Sequence, residues 1–266
     1  ASYMMPEQLS GCPDDLQVNT MRRFYIHPEQ LDSTEPRITG KDVRHIRNVL
    51  RLSPGDTVRL LDGSGRMCDA QIAAFEENAV RVALLDQVEA RNESALELIV
   101  AQGFLKDRKM DDLVRQVTEL GATKWIPVIT ERTVARPDAK RMEKRVKRWQ
   151  AIAVEAVKQC GRSMVPEIGF AMHFKEVLRL AETVDLPVFF WERATTALNQ
   201  TPEMSPGSVL LILGPEGGFT EAEAGQAEAQ GCCFVTLGPR ILRAETAAVT
   251  TAALAQYLFG DLQKSP

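Results

Sequence analysis

Near residue 92 the chain changes its hydrophobic period, and that change limits its possible folds more than any other feature. From Met21 to about Val88 the pattern is short strands and turns. Arg22–Ile26 reads as a first strand, and Thr57–Leu61 follows the turn Ser53-Pro54-Gly55-Asp56. After Asp62-Gly63-Ser64-Gly65, the segments Arg66–Ala74 and Val80–Leu85 alternate as strands. One helix around Lys41–Leu50 interrupts them. The pattern predicts a small β-barrel carrying one helix. Glu89-Ala90-Arg91-Asn92-Glu93-Ser94 is polar and reads as a linker.

Beyond the linker, strands alternate with helices. Leu96–Ala101, Trp125–Ile129, Val188–Trp191, Val209–Leu213 and Phe234–Leu237 are continuous apolar runs. Met110, Leu113, Val114, Val117 and Leu120 share one helix face that ends at Gly121. Met142, Val146, Trp149 and Ile152 mark a long helix, and Leu178–Leu180, Thr220–Gln230 and Ala247–Phe259 supply more. Runs apolar on both faces, alternating with helices, imply a parallel sheet covered on each side. The expected organisation is α/β: a small β domain over residues 21–90 and a larger parallel-sheet domain over 95–266. Residues 1–20 read as a leader or upstream extension. They lack a basic n-region, which excludes a secretory signal.

Composition removes several classes. The 266 residues are 44% hydrophobic and 26% charged, which permits a full core and argues against disorder. No apolar run reaches the ~18 residues of a membrane span. Cys12, Cys68, Cys160, Cys232 and Cys233 are odd in number, with no Cys-x-x-Cys pair. They read as reduced thiols of a cytoplasmic protein, with no structural metal. The net charge of −4 does not announce a nucleic-acid binder. Its distribution is uneven: eight Lys/Arg stand between Arg132 and Arg148 against Asp138 and Glu143. Such a run is either a solvated helix face or a patch that holds phosphates.

Two strand ends carry unusual chemistry. Open parallel sheets bind ligands at the carboxyl ends of their strands. Leu210–Leu213 runs into Gly214-Pro215-Glu216-Gly217-Gly218-Phe219, whose glycines allow close backbone approach. Thr220 and Glu223 then form a capping box for the following helix. Val235-Thr236-Leu237 enters Gly238-Pro239-Arg240-Ile241-Leu242-Arg243, and a helix starts near Ala244-Glu245. That loop would hold a flat apolar ring through Ile241 and Leu242 while presenting Arg243. The chain has no phosphate-binding Gly-x-x-x-x-Gly-Lys-Ser/Thr. His27, His45 and His173 flank no nucleophile motif, which speaks against a hydrolase triad.

At these motifs the sequence resembles the bacterial 16S ribosomal RNA uridine-N3 methyltransferases, the small subunit methyltransferase E family of the SPOUT superfamily. LLILGPEGGFTEAE and LGPRILRAETA are similar to that family's paired C-terminal motifs. MRRFYI, HIRNVLRLSPGD, LLDGSG, TELGATKWIPVITERT and AVEAVKQCGRSMVPEI precede them in family order. The resemblance covers Met21 to the C-terminus. It implies a PUA-like RNA-binding barrel, a SPOUT-type parallel sheet with a trefoil knot, a homodimer and S-adenosylmethionine as cofactor. Carried over residue by residue, Leu213, Gly214, Glu216, Gly217 and Gly218 line one side of the cofactor. Leu237, Gly238, Arg240, Ile241 and Leu242 line another, and Trp191 with Glu192 forms a third wall.

The implied reaction needs the N3 proton of uridine removed and a base exposed. The cofactor methyl is already activated, so neither a metal nor a covalent nucleophile is required. Positive charge beside the developing uridine anion is what helps. Arg243 is assigned that role, with Glu245 or Glu216 accepting a proton or orienting it. RNA needs a further surface. Arg44, Arg47 and Arg51 are spaced i, i+3, i+7; with Lys41, Arg22 and Arg23 they form a candidate phosphate stripe, and Arg162 is placed to reach the target. The alternatives are an RNA-binding module without catalysis and a knotted RNA 2′-O-methyltransferase. The two glycine-rich strand ends disfavour the first, and the PUA-like domain disfavours the second.

Overall fold

The computed structural model describes residues 21–106, 108–134, 138–201 and 205–263; the expected extension 1–20, with Cys12, lies outside them. Residues 23–88 build a five-stranded sheet in the order β1-β3-β4-β5-β2. Its strands are β1 (Arg23–Tyr25), β2 (Arg37–Thr39), β3 (Thr57–Leu61), β4 (Met67–Phe75) and β5 (Ala79–Val88). Only β1 and β3 run parallel. Phe24, Ile38, Ile46, Leu60, Ile72 and Val80 form its core. The three-residue β2 and the one-turn α1 (Pro28–Leu31) are too short to leave a periodic signal in the sequence.

The expected helix over Lys41–Leu50 changes its winding. α2 covers Lys41–Arg44, and His45–Val49 continues in wider turns closed by Leu50 N–H to the His45 carbonyl at 2.9 Å. Arg51 then turns back at φ +53°. The 3.6-residue spacing expected to align Arg44, Arg47 and Arg51 is therefore broken, and all three are exposed. An i→i+5 turn rotates later residues out of the 3.6-residue register. Arg47 instead donates to the Glu76 carbonyl and lies over the Phe75 ring.

The second sheet runs β12-β10-β11-β6-β7-β8, with β9 also against β7, and every pair is parallel. These strands are β6 (Glu97–Gly103), β7 (Lys124–Ile129), β8 (Glu167–Ile168), β9 (Met172–His173), β10 (Leu186–Phe190), β11 (Ser208–Leu213) and β12 (Cys233–Val235). Around them lie α3 (Lys109–Glu119), α4 (Ala139–Cys160), α5 (Phe174–Ala181), α6 (Glu221–Ala229) and α7 (Ala244–Phe259). Strand residues alternate between two cores. Leu98, Val100, Val209, Leu211 and Leu213 pack with α3, α4 and α7. Ile99, Ala101, Leu210 and Ile212 pack with α5 and α6 on the other face. Each such side chain contributes about 1.5–3 kcal/mol on burial, which is why β6 and β11 carry no polar alternation. Among the described residues no helix is long and apolar enough to cross a membrane.

The two sheets are docked through the C-terminal end of α4. Val165 N–H donates to the Gly63 carbonyl at 2.9 Å. Lys158 Nζ donates to Asp42 Oδ1 and Oδ2 at 2.8 and 3.0 Å. Cys68, Cys160, Cys232 and Cys233 are free thiols. Burial pushes the Cys232 thiol up to about 11, so it stays protonated and inert at neutral pH.

Candidate functional site

Because β10, β11 and β12 are adjacent and parallel, their carboxyl ends open side by side. Together they border a cleft of about 680 Å³, a size typical of small-molecule sites. Every residue assigned above to the cofactor lines it: Trp191, Leu213, Gly214, Glu216, Gly217, Gly218, Leu237, Gly238, Arg240, Ile241 and Leu242, with Arg243 and Glu245 at the mouth.

The loop after β11 is built around glycine. Gly218 N–H donates to the Pro215 carbonyl at 2.9 Å, closing a turn with Gly218 at φ +67°. A Cβ on Gly214 would meet Gly218 Cα at 3.2 Å, so the turn would have to give by a few tenths of an ångström to take one. On Gly218 a Cβ would meet only Glu192 Oε2, at 4.0 Å, and on Gly238 (φ +90°) it would meet nothing. Those two glycines present bare backbone to the cleft. Gly217 differs: a Cβ there would press on Arg132 Cβ at 3.3 Å, and its carbonyl accepts from Arg132 Nη1 at 2.8 Å. The predicted capping box forms, with Glu223 N–H to Thr220 Oγ1 and Thr220 N–H to Glu223 Oε2.

The loop after β12 offers donors. Among the described residues no backbone amide from Leu237 to Leu242 donates within the chain. Trp191 closes the β10 side; its N–H bonds the Val235 carbonyl at 3.1 Å, and its ring meets the Phe234 ring edge-on at 5.7 Å. Apolar walls and open amides suit a flat heteroaromatic ring with a polar edge. The residues present thus fit an adenosine-bearing cofactor.

The mouth is charged and holds a residue that sequence reasoning missed. Lys109 Nζ lies 3.2 Å from Glu245 Oε2 and 3.4 Å from Glu216 Oε1. Lys106 N–H also donates to Glu216 Oε1 at 3.2 Å. The bond from its own backbone N–H, and then Lys109, hold the Glu245 carboxyl below the usual range. The Glu245 bond and then Glu216 hold the Lys109 ammonium above its ordinary value despite some burial. No local signal marked Lys109, since its partners lie 107 and 136 residues away. Arg243 stands at the N-cap position of α7 without a side-chain cap bond, is exposed, and makes no ion pair among the described residues.

Residues 92–256 match the family profile of the RNA methyltransferase domain, and residues 38–85 match that of the RNA methyltransferase PUA domain. A ribosomal RNA small subunit methyltransferase E from Synechocystis is 34% identical over 242 residues, covering 88% of this chain and 76% of its own length. The chain belongs to the small subunit methyltransferase E family. Two solved structures are similar over 91% of this chain and 99% of their own. One is a methyltransferase of that name from Neisseria gonorrhoeae with S-adenosylmethionine bound (34% identity, TM-score 0.80). The other is a Legionella pneumophila methyltransferase with the same cofactor (30% identity, TM-score 0.84).

In this member of the methyltransferase E family, the arginines assigned to RNA have separate fates. Arg22 and Arg44 are exposed. Arg23 borders, with Arg59 and Arg91, a second cavity of about 360 Å³ between the β domain and the end of α4. Arg162 does not reach outward; the expectation that it meets RNA is corrected. It is 5% exposed, paired with Glu93 at 2.9 Å, and donates to the Thr118 and Ala122 carbonyls at 2.7 and 3.0 Å. Gly161 ends α4 at φ +86°, and the chain there turns Arg162 into the interior.

Proposed function

We propose that the chain methylates N3 of a uridine in the 16S RNA of the small ribosomal subunit, with S-adenosylmethionine as donor. The observation that carries this reading is the convergence of three strand ends on one cleft, with bare glycines, open amides and an unpaired arginine at its mouth. The names of the relatives support the RNA target.

The bound cofactor supplies an electrophilic methyl group on a sulfonium. The chain supplies the rest. Leu213, Trp191 and Leu242 exclude water. The amides of Leu237–Leu242 orient the ring edge. Arg243 offers a fixed positive charge where uridine becomes anionic, which is worth most in a water-poor site. Glu245 is tied to Lys109 and its carboxyl lies below the usual range, which makes it a weak base, so its role is to hold the mouth in shape.

The same reading divides the chain into an RNA-binding domain over 21–90 and a methyltransferase domain over 95–266, acting in the cytoplasm. The chain leaves β12 at the sheet edge and returns as α7 against β6, β11 and α3, which supports a trefoil threading. A crystallographic chain trace tests that passage. Outward-facing Leu254 and Tyr257 on α7, with Ile241 at 90% exposure, support a homodimer. A monomer at micromolar concentration by sedimentation, fully active, refutes it. Nucleoside mass spectrometry on small subunits from a deletion strain, with and without the protein, tests the product. Arg243→Ala is expected to lower single-turnover methylation about 10²-fold while cofactor affinity holds. Methylation at another atom, or an unchanged rate, overturns the assignment.

A further inference from the structure

The first half of α4 carries two neighbouring cationic stripes that differ in what they touch. Arg141, Arg145 and Arg148 are spaced i, i+4, i+7, and each is engaged by the protein. Arg141 pairs with Asp138 at 3.3 Å, Arg145 lies 5.1 Å over the Phe104 ring, and Arg148 pairs with Asp111 at 2.6 Å. Lys140, Lys144 and Lys147 have the same spacing on the adjoining face. All three are exposed, and none has an ion pair among the described residues, although Glu143 stands nearby.

Stability does not account for these lysines. The first turn of α4 carries Lys140 and Arg141 and no acidic residue. Helix amides at an N-terminus favour anions and disfavour cations. Asp138 already caps those amides, its Oδ1 accepting from Arg141 N–H at 2.8 Å, so Lys140, Lys144 and Lys147 gain neither an acidic partner nor help from the helix end. The arginine face of the same half-helix is tied toward the cleft. Arg132, just upstream, donates to the Gly217 carbonyl. Phe104, beneath Arg145, leads to Lys106, whose amide holds Glu216. Asp111, the partner of Arg148, lies one turn or less from Lys109.

We propose that the Lys140–Lys144–Lys147 face is a phosphate-binding track by which the methyltransferase domain itself grips RNA at the edge of the cleft. The proposal rests on an RNA substrate, as read above, but not on the methylated atom. An electrostatic track holds backbone without reading sequence, so it complements a separate β domain that fixes the site.

The test is the triple variant K140Q/K144Q/K147Q in the full chain, with K140R/K144R/K147R and the exposed Lys175→Gln as controls. Binding to naked 16S RNA and to small subunits is measured across salt concentrations, and cofactor binding by calorimetry. The glutamine variant is expected to bind RNA at least ~10-fold more weakly near physiological salt, with a log–log salt slope shallower by about 2. Cofactor affinity, and the single-turnover rate at saturating RNA, should match wild type. The arginine variant and Lys175→Gln should bind normally. An unchanged slope in the glutamine variant overturns the track. So does a loss seen on subunits but not on naked RNA, which would assign the face to an acidic protein. If wild type binds RNA through these lysines yet forms no N3-methyluridine, the proposed reaction fails while the track stands.

Discussion

Lys109 joins the two cleft loops through Glu216 and Glu245, and that makes it the side chain on which the mouth depends most. Lys109→Met keeps the length and removes the charge, leaving two carboxylates facing each other. Cofactor affinity is expected to fall roughly 5–20-fold by calorimetry, because the two loops lose the cation that they share. The pH dependence follows from the shifts. Glu245 is depressed below the ordinary carboxylate value of about 4.3, so its contribution is present above that value and is lost as pH falls through its folded pKa. Lys109 is raised above its ordinary value, so its contribution is lost only when pH climbs past the ammonium range. Cofactor affinity should thus be flat between about pH 6 and 9. A titration within that window, abolished by Glu245→Gln, would mean that the Glu245 carboxyl is raised rather than lowered. The glycines divide in a way spacing alone did not reveal. Gly218→Ala forces a side chain into left-handed backbone at φ +67° and points it at the cleft. It should cost about 1–2 kcal/mol of stability and at least tenfold in cofactor affinity. Gly217→Ala displaces Arg132 instead and should affect the cofactor far less; equal losses by calorimetry would put Gly217 against the ligand after all.

α4 shows what a sequence can and cannot disclose about an element. Its apolar face, from Met142 through Trp149 to Ala153, was legible because it recurs every three or four residues, and so was the buried run Val209–Leu213. The Thr220–Glu223 cap was legible because both partners lie in one turn. β8 and β9 were not: each is two residues long and exists only because β7 lends it hydrogen bonds. Nor was the changed winding after Arg44, which no residue type announces. The role of Arg162 was invisible for a related reason, since Glu93 precedes it by 69 residues. Glu93 takes Arg162 Nε and Nη2 at 3.0 and 2.9 Å and also accepts the Ser163 and Met164 amides. Arg162→Ala takes the cation from that carboxylate, which keeps only its amide donors, and removes a donor from the Thr118 and Ala122 carbonyls. Breaking such a buried pair costs about 3–5 kcal/mol, to be read as a lower urea midpoint at unchanged m-value. Arg162→Lys should recover little, because one ammonium cannot reproduce the fork. If Arg162→Ala unfolds like wild type but loses RNA affinity, the inward assignment is wrong.

The two sheets act on one substrate only if their relative placement is fixed, and an apolar cluster of Leu61, Met67 and Val157 with polar contacts around it fixes it. Lys158 makes the buried ion pair of that seam. It reaches both Asp42 oxygens from α4, with the two side chains only 10% and 11% exposed, and its ammonium lies 5.8 Å from the Phe24 ring. The Gly63–Val165 bond and the Glu93 contacts continue the seam toward residues 89–94. The cofactor cleft lies elsewhere, among the ends of β10, β11 and β12 and the starts of α3 and α7. A change at Lys158 should therefore separate RNA capture from cofactor binding. Lys158→Met leaves Asp42 buried without a partner, whereas Lys158→Met with Asp42→Leu removes both charges. The single variant should undock the β domain, opening the 89–94 connection to limited proteolysis and lowering RNA affinity. The double variant should regain much of the docking, because a buried pair replaced by apolar groups is often near neutral. A double-mutant cycle on RNA affinity, with cofactor affinity measured alongside, quantifies the coupling. Equal loss of cofactor and RNA binding in the single variant would mean that the seam and the cleft form one cooperative unit, and that the β domain does more than deliver RNA.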